Sequence, residues 1–326
     1  MAFDIKKLDW SKEIFEVAGI DVNKMSKTVP TGTDAGAITA EAAEKTGLAP
    51  STHIVSISHD QVSAAIGAGA FDSSVAVDGA GTVECVTPIY DSIPDIDAMY
   101  DGYFSIVPYV IPGKYVAYAF SYTGGALIQW CVDNLAKDEK RAAADRDLSV
   151  NEYLEKKYAT ERGEENPSNL LILPHFAGAA TPYMDTGSKG AILGLTTDTT
   201  VADIYRGCME GVVYEMLVNT SALKKSGCKF KKLNATGGGA RSGEWMQMKA
   251  DMLNVPITAL KTVDAGTVGS AMLTGIATGV FKDLNDAAEH MVEETVEYLP
   301  RKEMHEKYMH IFERYAKVYQ AVRPLV

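Results

Sequence analysis

The sequence predicts an α/β fold, because stretches with the pattern of a buried strand are followed closely by stretches with helical spacing. Residues 52–57 are β-branched and precede a small-residue helical segment at 62–69. An apolar run leads through three glycines into a helical pattern within residues 233–249, and residues 255–260 form another apolar run before Asp264. Such alternation is typical of a sheet with helices on its faces.

The stretch 233–249, which reads LNATGGGARSGEWMQMK, carries the clearest turn signal in the chain. Its glycines, Gly237, Gly238 and Gly239, can adopt positive φ and leave the backbone open to a ligand. Ser242 is placed to cap the following helix, whose first N–H groups favour anions. The pattern predicts an anion or nucleotide cradle, and a purely structural turn is the alternative.

Composition favours a soluble, enzyme-sized protein of two domains. The chain has 326 residues, of which 46% are hydrophobic, and a formal net charge of −12. An acidic chain without a long basic cluster makes nucleic acid and anionic membranes unfavourable partners. Neither a signal peptide nor a spanning segment is visible, so we expect a cytoplasmic protein. The cysteines are scattered without metal-binding spacing, which indicates reduced core thiols: Cys85, Cys131, Cys208 and Cys228.

Two short helices are predicted near the N-terminus. Residues 10–18 form the first, with Ser11 as its cap, and residues 40–46 form the second, which Gly47 ends.

A carboxylate then follows the predicted buried strand at 52–57. Asp60, between His59 and Gln61, lies where that strand gives way to a helix. Ligands of α/β proteins bind at the carboxyl ends of strands, so Asp60 is a candidate site residue. A helix-capping role is the alternative, since aspartate is favoured at such junctions.

Residues 75–87 read as a hairpin whose turn runs from Asp78 to Gly81. The backbone of Gly81 and the hydroxyl of Thr82 are available to a phosphate. Several short strands follow in residues 103–122.

A helix opens at the glycines before Ala126, and the charged stretch 137–162 reads as a solvated helical insertion with an apolar face. A strand at 170–173 and a long helix at 200–217 come next. The chain closes with a helix at 301–322 whose apolar stripe predicts core packing, with a dimer seam as the alternative.

Five segments in this order resemble the FGGY carbohydrate kinases, which include glycerol kinase and xylulokinase. The segments are HDQVSAAIGAG, DGAGTVEC, GGALIQW, GAILGLTTDTTVADIYRGCMEG, and GGGARSGEWMQMKADML followed by DAGTVGSAMLTG. The resemblance covers nearly the whole chain. It implies an α/β, actin-like (ribonuclease H-like) ATPase fold, with residues 1–73 as the remnant of an N-terminal sugar-binding domain and 74–326 as a complete C-terminal nucleotide-binding domain.

The resemblance also implies roles for individual residues. Asp60 matches the family's catalytic aspartate, which accepts the proton of the sugar hydroxyl, and Gln61 matches a substrate-binding position. ATP and Mg²⁺ are the implied cofactors, although no set of metal ligands can be identified in the sequence. The positions that match the family's ATP-binding residues are Gly81, Thr82, Gly125, Gln129, Gly238, Gly239 and Ala240.

One family feature is missing: the early Asp-x-Gly-Thr turn that holds the β- and γ-phosphates. Residues 1–73 also contain too few strands for a complete actin-like sheet, and a part-sheet exposes unpaired backbone. We therefore expect the chain to need a complementing N-terminal polypeptide, or self-association as a homodimer, for full function.

Three functions agree with these patterns. The first is a kinase that phosphorylates a sugar or polyol with Asp60 as general base. The others are a non-catalytic nucleotide-binding remnant and another actin-like ATPase. Asp60 with Gln61 favours the kinase, because the pair provides a base for a hydroxyl acceptor.

Overall fold

The structure is a computed structural model that describes residues 2–326. Its strands are β1 Phe3–Asp4, β2 Asp9–Trp10, β3 Asp34–Ala37, β4 His53–Val55, β5 Val75–Ala80, β6 Glu84–Thr87, β7 Ile89–Tyr90, β8 Ser105–Pro108, β9 Tyr115–Ser121, β10 Leu171–Leu173, β11 Ala191–Leu193, β12 Lys232–Thr236, β13 Ile257–Leu260 and β14 Glu294–Tyr298. Its helices are α1 Lys12–Val17, α2 Ala40–Thr46, α3 Asp60–Gly67, α4 Ile96–Asp101, α5 Gly125–Leu135, α6 Lys137–Ala144, α7 Val150–Arg162, α8 Val201–Lys225, α9 Gly243–Leu253, α10 Ala265–Ala277, α11 Leu284–Met291, α12 Lys302–Tyr315 and α13 Val318–Val322.

The main sheet has eight strands in the order β14-β13-β12-β5-β6-β9-β7, with β8 also paired to β9. Strands β5, β12 and β13 run parallel, and the remaining neighbours are antiparallel. The carboxyl ends of the three parallel strands therefore lie side by side at one edge of the sheet. Two-stranded pairs join β1 to β2, β3 to β4 and β10 to β11.

Helices pack on both faces of this sheet, because alternate residues of each strand point to opposite sides. Ala76 of β5 belongs to the core shared with α5, α8, α9 and α12, whereas its neighbour Val77 belongs to the core shared with α3 and α10. The predicted α/β class is therefore observed.

Helices α3 and α10 touch through their backbones at two glycines. A Cβ on Gly67 would lie 1.9 Å from the carbonyl oxygen of Ala265, and one on Gly269 would lie 1.9 Å from that of Ser63. No larger side chain fits at either position. The contact fixes α3, whose first residue is Asp60, against the first half of α10.

Several predicted helix ends are confirmed by cap contacts. Ser11 and Ser242 each accept a backbone N–H three residues ahead, and Gly47 ends α2 in the left-handed conformation at a φ of 73°. The structure has a cap of the same kind at Asp264, before α10. The side chains of all four cysteines are buried. No helix within residues 2–326 combines the length and apolar character needed to cross a membrane.

The prediction of a buried strand at 52–57 is wrong in its burial and length. Only His53–Val55 forms a strand, and the Ile54 side chain is 52% exposed. The strand pairs with β3 in a two-stranded sheet outside the main one. Its β-branched residues favour a strand, but strand propensity does not by itself imply that helices or another sheet cover the strand.

The predicted hairpin turn at Asp78–Gly81 is also displaced. Strand β5 continues to Ala80, and the connection to β6 comprises residues 81–83. Asp78 thus lies inside a buried strand, where an aspartate is unexpected unless a cation compensates it.

The two helices predicted toward the C-terminal end differ from expectation in extent. The helix expected at 200–217 continues to Lys225, and the helix expected at 301–322 is divided at residues 316–317 into α12 and α13. The stripe of this last segment packs into the core, as predicted: Met304, Tyr308, Ile311, Tyr315 and Val318 are buried.

We expect Gly269→Ala to destabilise the protein by about 2–3 kcal/mol, because the new methyl group would overlap the Ser63 carbonyl and push α3 away from α10. Urea unfolding monitored by circular dichroism measures this. The matched control is Gly266→Ala in the same helix, where the nearest atom lies 3.4 Å from the added Cβ. The control should change the free energy of unfolding by less than about 1 kcal/mol; equal effects at both positions would contradict the close packing.

Candidate active site

The turn between β5 and β6 docks on the N-terminus of α5. The Gly125 N–H donates to the Gly81 carbonyl at 2.9 Å, and the N–H groups of Gly124 and Ala126 donate to the Thr82 carbonyl at 2.9 and 3.1 Å. A Cβ on Gly125 would lie 2.9 Å from the Gly81 oxygen, so this approach requires glycine. The Thr82 side chain is left exposed at the turn.

The glycine turn after β12 lies directly against the end of β5. Gly237 has a φ of 98°, and a Cβ there would come within 2.5 Å of the Ala80 carbonyl. Gly239 is confined by the Trp245 ring, whereas a Cβ added to Gly238 would meet no atom within 4 Å and would border open space. Two of the glycines therefore pack the turn, and the third keeps a surface open.

Beneath these turns, Lys249 of α9 is fully buried between two carboxylates. Its Nζ lies 2.7 Å from Asp78 Oδ2 of β5 and 2.7 Å from Glu84 Oε1 of β6. The ammonium also lies 4.4 Å from the centre of the Trp245 ring. One side chain thus joins the helix after the glycine turn to both strands of the hairpin that carries Gly81 and Thr82.

The protonation of this cluster follows from its burial. Burial, and then the charge of Asp78, raise the pKa of Glu84 well above its ordinary value. Burial acts to lower the pKa of Lys249, but the two carboxylates outweigh it and raise that pKa. Lys249 Nζ donates to both carboxylates, while Asp78 Oδ1 and Glu84 Oε2 have no hydrogen-bond partner within the described chain.

Asp60 is the first residue of α3, and its side chain is 78% exposed. One carboxylate oxygen accepts the Gln61 N–H at 2.8 Å and lies 2.9 Å from His59 Nδ1. The residue at the N-cap position of α3 is His59 and not Asp60. A helix-capping role, the alternative drawn from the sequence, therefore does not by itself explain the carboxylate at residue 60. Gln61 is half-buried in the first turn.

Packing places Asp60 at the same edge of the sheet as the two turns. A Cβ on Gly266, at the start of α10, would lie 3.6 Å from the Asp60 carbonyl. The His59 ring lies 5.3 Å from the ring of Tyr118 on β9. Burial raises the pKa of Cys85 on β6 to about 12, and the negative charge of Asp60 contributes to that shift.

A cleft of about 570 Å³, the glycine-turn cleft, lies between α5, α7 and the glycine turn. Its volume is in the range of small-molecule sites. Four residues predicted to bind nucleotide line it: Gly125, Gln129, Gly238 and Gly239. Gly81 and Thr82 lie at the adjoining turn, whereas Ala240 is buried in the core and does not line the cleft.

Helix α7 supplies a wall of the cleft that the sequence interpretation missed. Stretch 137–162 was expected to be a solvated insertion, and its apolar face does pack, with Leu154 and Tyr158 buried. An adjoining face lines the cleft through Asn151, Glu152 and Glu155, together with the cap residue Ser149. The spacing of these polar residues on one helix face was the available signal.

Among residues 2–326, no group of three or more His, Cys, Asp and Glu side chains is placed to hold a metal ion.

Sequence comparison assigns this arrangement to a family. A sequence model described as "FGGY family of carbohydrate kinases, C-terminal domain" matches residues 80–278, and the corresponding N-terminal domain matches residues 1–67. The chain belongs to the FGGY family of carbohydrate kinases. The resemblance drawn from the five sequence segments is therefore confirmed.

Relatives that match this chain are named xylulose kinase and glycerol kinase. The xylulose kinase of Staphylococcus epidermidis is 25% identical over 323 residues, which are 99% of this chain and 61% of the relative. The glycerol kinase of Clostridium botulinum is 28% identical over 294 residues, which are 89% of this chain and 55% of the relative. The chain thus spans between 55% and 61% of the length of these two relatives.

Solved structures agree with the fold. The xylulose kinase from Lactobacillus acidophilus matches with a TM-score of 0.85 at 23% identity, covering 99% of this chain and 62% of that one. The Plasmodium falciparum glycerol kinase with ADP matches with a TM-score of 0.78 at 18% identity, covering 98% of this chain and 61% of that one. The predicted actin-like α/β fold of the FGGY kinases is confirmed.

We expect Lys249→Met to lower the free energy of unfolding by about 3–5 kcal/mol, because it leaves two buried carboxylates without their cation. Chemical denaturation at neutral pH measures the loss. The control is Lys261→Met, which removes a pair whose side chains are 67% and 64% exposed. That change should cost less than about 1 kcal/mol, and a similar small cost at Lys249 would contradict its structural role.

Proposed function

We propose that the protein catalyses ATP-dependent phosphorylation of a sugar or polyol hydroxyl, with Asp60 as general base. The observation that carries this proposal is the meeting of three elements at one sheet edge: the turn at Gly81, the glycine turn at Gly237 and the exposed carboxylate of Asp60. Family membership supports the same reaction class.

In the proposed reaction, the substrate hydroxyl oxygen attacks the γ-phosphorus of ATP. A new oxygen–phosphorus bond forms, the bond between the γ-phosphorus and the bridging oxygen breaks, and ADP leaves. Asp60 accepts the hydroxyl proton through the carboxylate oxygen that Gln61 does not occupy. An exposed carboxylate suits this task, because it both orients the hydroxyl and takes its proton.

The nucleotide is proposed to occupy the glycine-turn cleft with its phosphates toward Gly81 and Thr82. The open surface at Gly238 supports this placement, since no protein atom fills the space beside it. Gly125 and Gln129 line the same cleft from α5. Mg²⁺ would neutralise charge on the phosphates near Thr82, and Ala240 would contribute through its backbone alone.

The substrate is proposed to be a small ketose, sugar acid or polyol. Relatives and structural neighbours carry the names xylulose kinase, gluconate kinase and glycerol kinase. Gln61, beside Asp60, is the proposed substrate contact. A phosphorylation screen with xylulose, gluconate and glycerol, coupled to ADP release, distinguishes these classes.

Full activity is proposed to need a further N-terminal polypeptide or a second copy of this chain. Support comes from apolar side chains exposed in the first part of the chain, among them Ile14, Val17 and Ile20, at 48%, 87% and 51%. Such a surface favours association. Sedimentation equilibrium, run with the phosphorylation assay, tests this: robust turnover by a lone monomer would refute it.

We expect Asp60→Asn to lower kcat by a hundred- to ten-thousand-fold, roughly the contribution of a general base, while leaving the Kd for ATP unchanged. Steady-state kinetics and calorimetry measure the two quantities. The control is Asp97→Asn, an exposed carboxylate in the first turn of α4, which should leave both unchanged.

The same measurements separate the competing functions. Nucleotide binding without sugar-dependent turnover, even when the wild type is self-associated or the N-terminal polypeptide is supplied, favours a non-catalytic remnant. Turnover of ATP that is indifferent to sugar and to Asp60→Asn favours another actin-like ATPase.

A further inference from the structure

The wall of the glycine-turn cleft formed by α7 carries a carboxyl group, Glu155, that phosphoryl transfer does not use. Glu155 lines the cleft together with Gly238, Gly239 and Trp245. Its Oε1 accepts a hydrogen bond from Ser242 Oγ at 3.3 Å, and Ser242 itself caps α9. The carboxyl group is thus held in place at the cleft surface by the element that follows the glycine turn.

Glu155 reaches the cleft from α7, whereas the phosphate turn meets the cleft at the start of α5. Gly125 marks that start, because its N–H is bonded to the Gly81 carbonyl. Gln129 follows one helical turn along α5 and lines the same cleft as Glu155. If the phosphates lie at Gly81, the nucleoside lies in this cleft, within which Glu155 is one of the carboxyl groups.

The surroundings of Glu155 suit a flat aromatic base. Apolar and aromatic side chains line the same cleft as Glu155: Ile128, Tyr205, Met209 and Trp245. Such walls pack against a ring face, while a single carboxyl group among them can read the polar edge of that ring.

We propose that Glu155 contacts the base edge of the bound nucleotide and selects between adenine and guanine. This inference rests on the proposed function of the cleft. A protonated carboxyl group can donate to a ring nitrogen of adenine and accept from its amino group. An ionised one only accepts, which suits the adjacent N–H groups of guanine.

The protonation state of Glu155 is set by its neighbours on every side. Burial, and then the charge of Glu244 on α9, raise its pKa to about 7, and Glu152 on α7 adds to this. The Ser242 hydrogen bond and the charge of Arg206 on α8 act in the opposite direction. Tyr205 and the exposed Arg241 complete the polar surroundings. Because the pKa is raised, Glu155 keeps its proton below about pH 7 and loses it above.

The test is calorimetric binding of ATP and GTP to the full chain between pH 6 and pH 8.5, with excess Mg²⁺ and no sugar. For the wild type, the affinity for ATP should fall roughly tenfold as the pH rises from 6 to 8.5. Over the same range, the affinity for GTP should rise relative to the affinity for ATP. Glu155→Gln keeps a donor and an acceptor at all pH values. Its ATP affinity should match that of the wild type at pH 6 and lack the wild-type pH dependence, since titration of the nucleotide itself is common to both proteins.

Glu155→Ala should lose the preference between ATP and GTP, and the control Glu161→Gln, on α7 outside the cleft, should behave as the wild type. If both Glu155 variants keep the wild-type preference and pH profile, the inference is overturned and the proposed function stands. If Glu155→Ala alters discrimination between ATP and 2′-deoxy-ATP but not between ATP and GTP, Glu155 reads the ribose and the inference is wrong. Absence of all nucleotide binding overturns both proposals.

Discussion

A single buried ammonium group organises the candidate site. Lys249 links α9 to both strands of the β5–β6 hairpin through contacts of 2.7 Å to Asp78 and Glu84, in an environment without water access. Breaking such a cluster is costly because each remaining charge is left desolvated. The turn that carries Gly81 and Thr82 is therefore tied to the helix that begins after the glycine turn, and the two turns are held as one unit.

The parallel arrangement of three strands brings the other segments of the candidate site to one edge of the sheet. Strands β5, β12 and β13 end at one edge of the sheet, and the segments that leave them approach one another at backbone distance. Gly237 lies against the Ala80 carbonyl, and the start of α10, after β13, lies against Asp60. Glycines are needed here mainly because backbone meets backbone, and only Gly238 leaves space for a ligand.

Local signals in the sequence predicted local structure well. The caps at Ser11 and Ser242 and the glycine turn follow from short-range chemistry, and the structure contains them. The position of the β5–β6 turn did not follow from the sequence, because Asp78 is typical of a turn unless it is known that Lys249, distant in sequence, neutralises it.

The cleft wall at Glu155 was missed for a related reason: a polar helix face has the same sequence pattern whether it borders solvent or a ligand. Residue 54 shows the converse, since an apolar strand residue need not be covered.

The glycine contact between α3 and α10 has a mechanical meaning for the proposed kinase. Asp60 is the first residue of a helix that cannot slide on α10 without a collision between Gly269 and Ser63. Any motion that changed the position of Asp60 relative to the start of α10 would have to separate these two backbones, so α3 and α10 behave as one rigid pair.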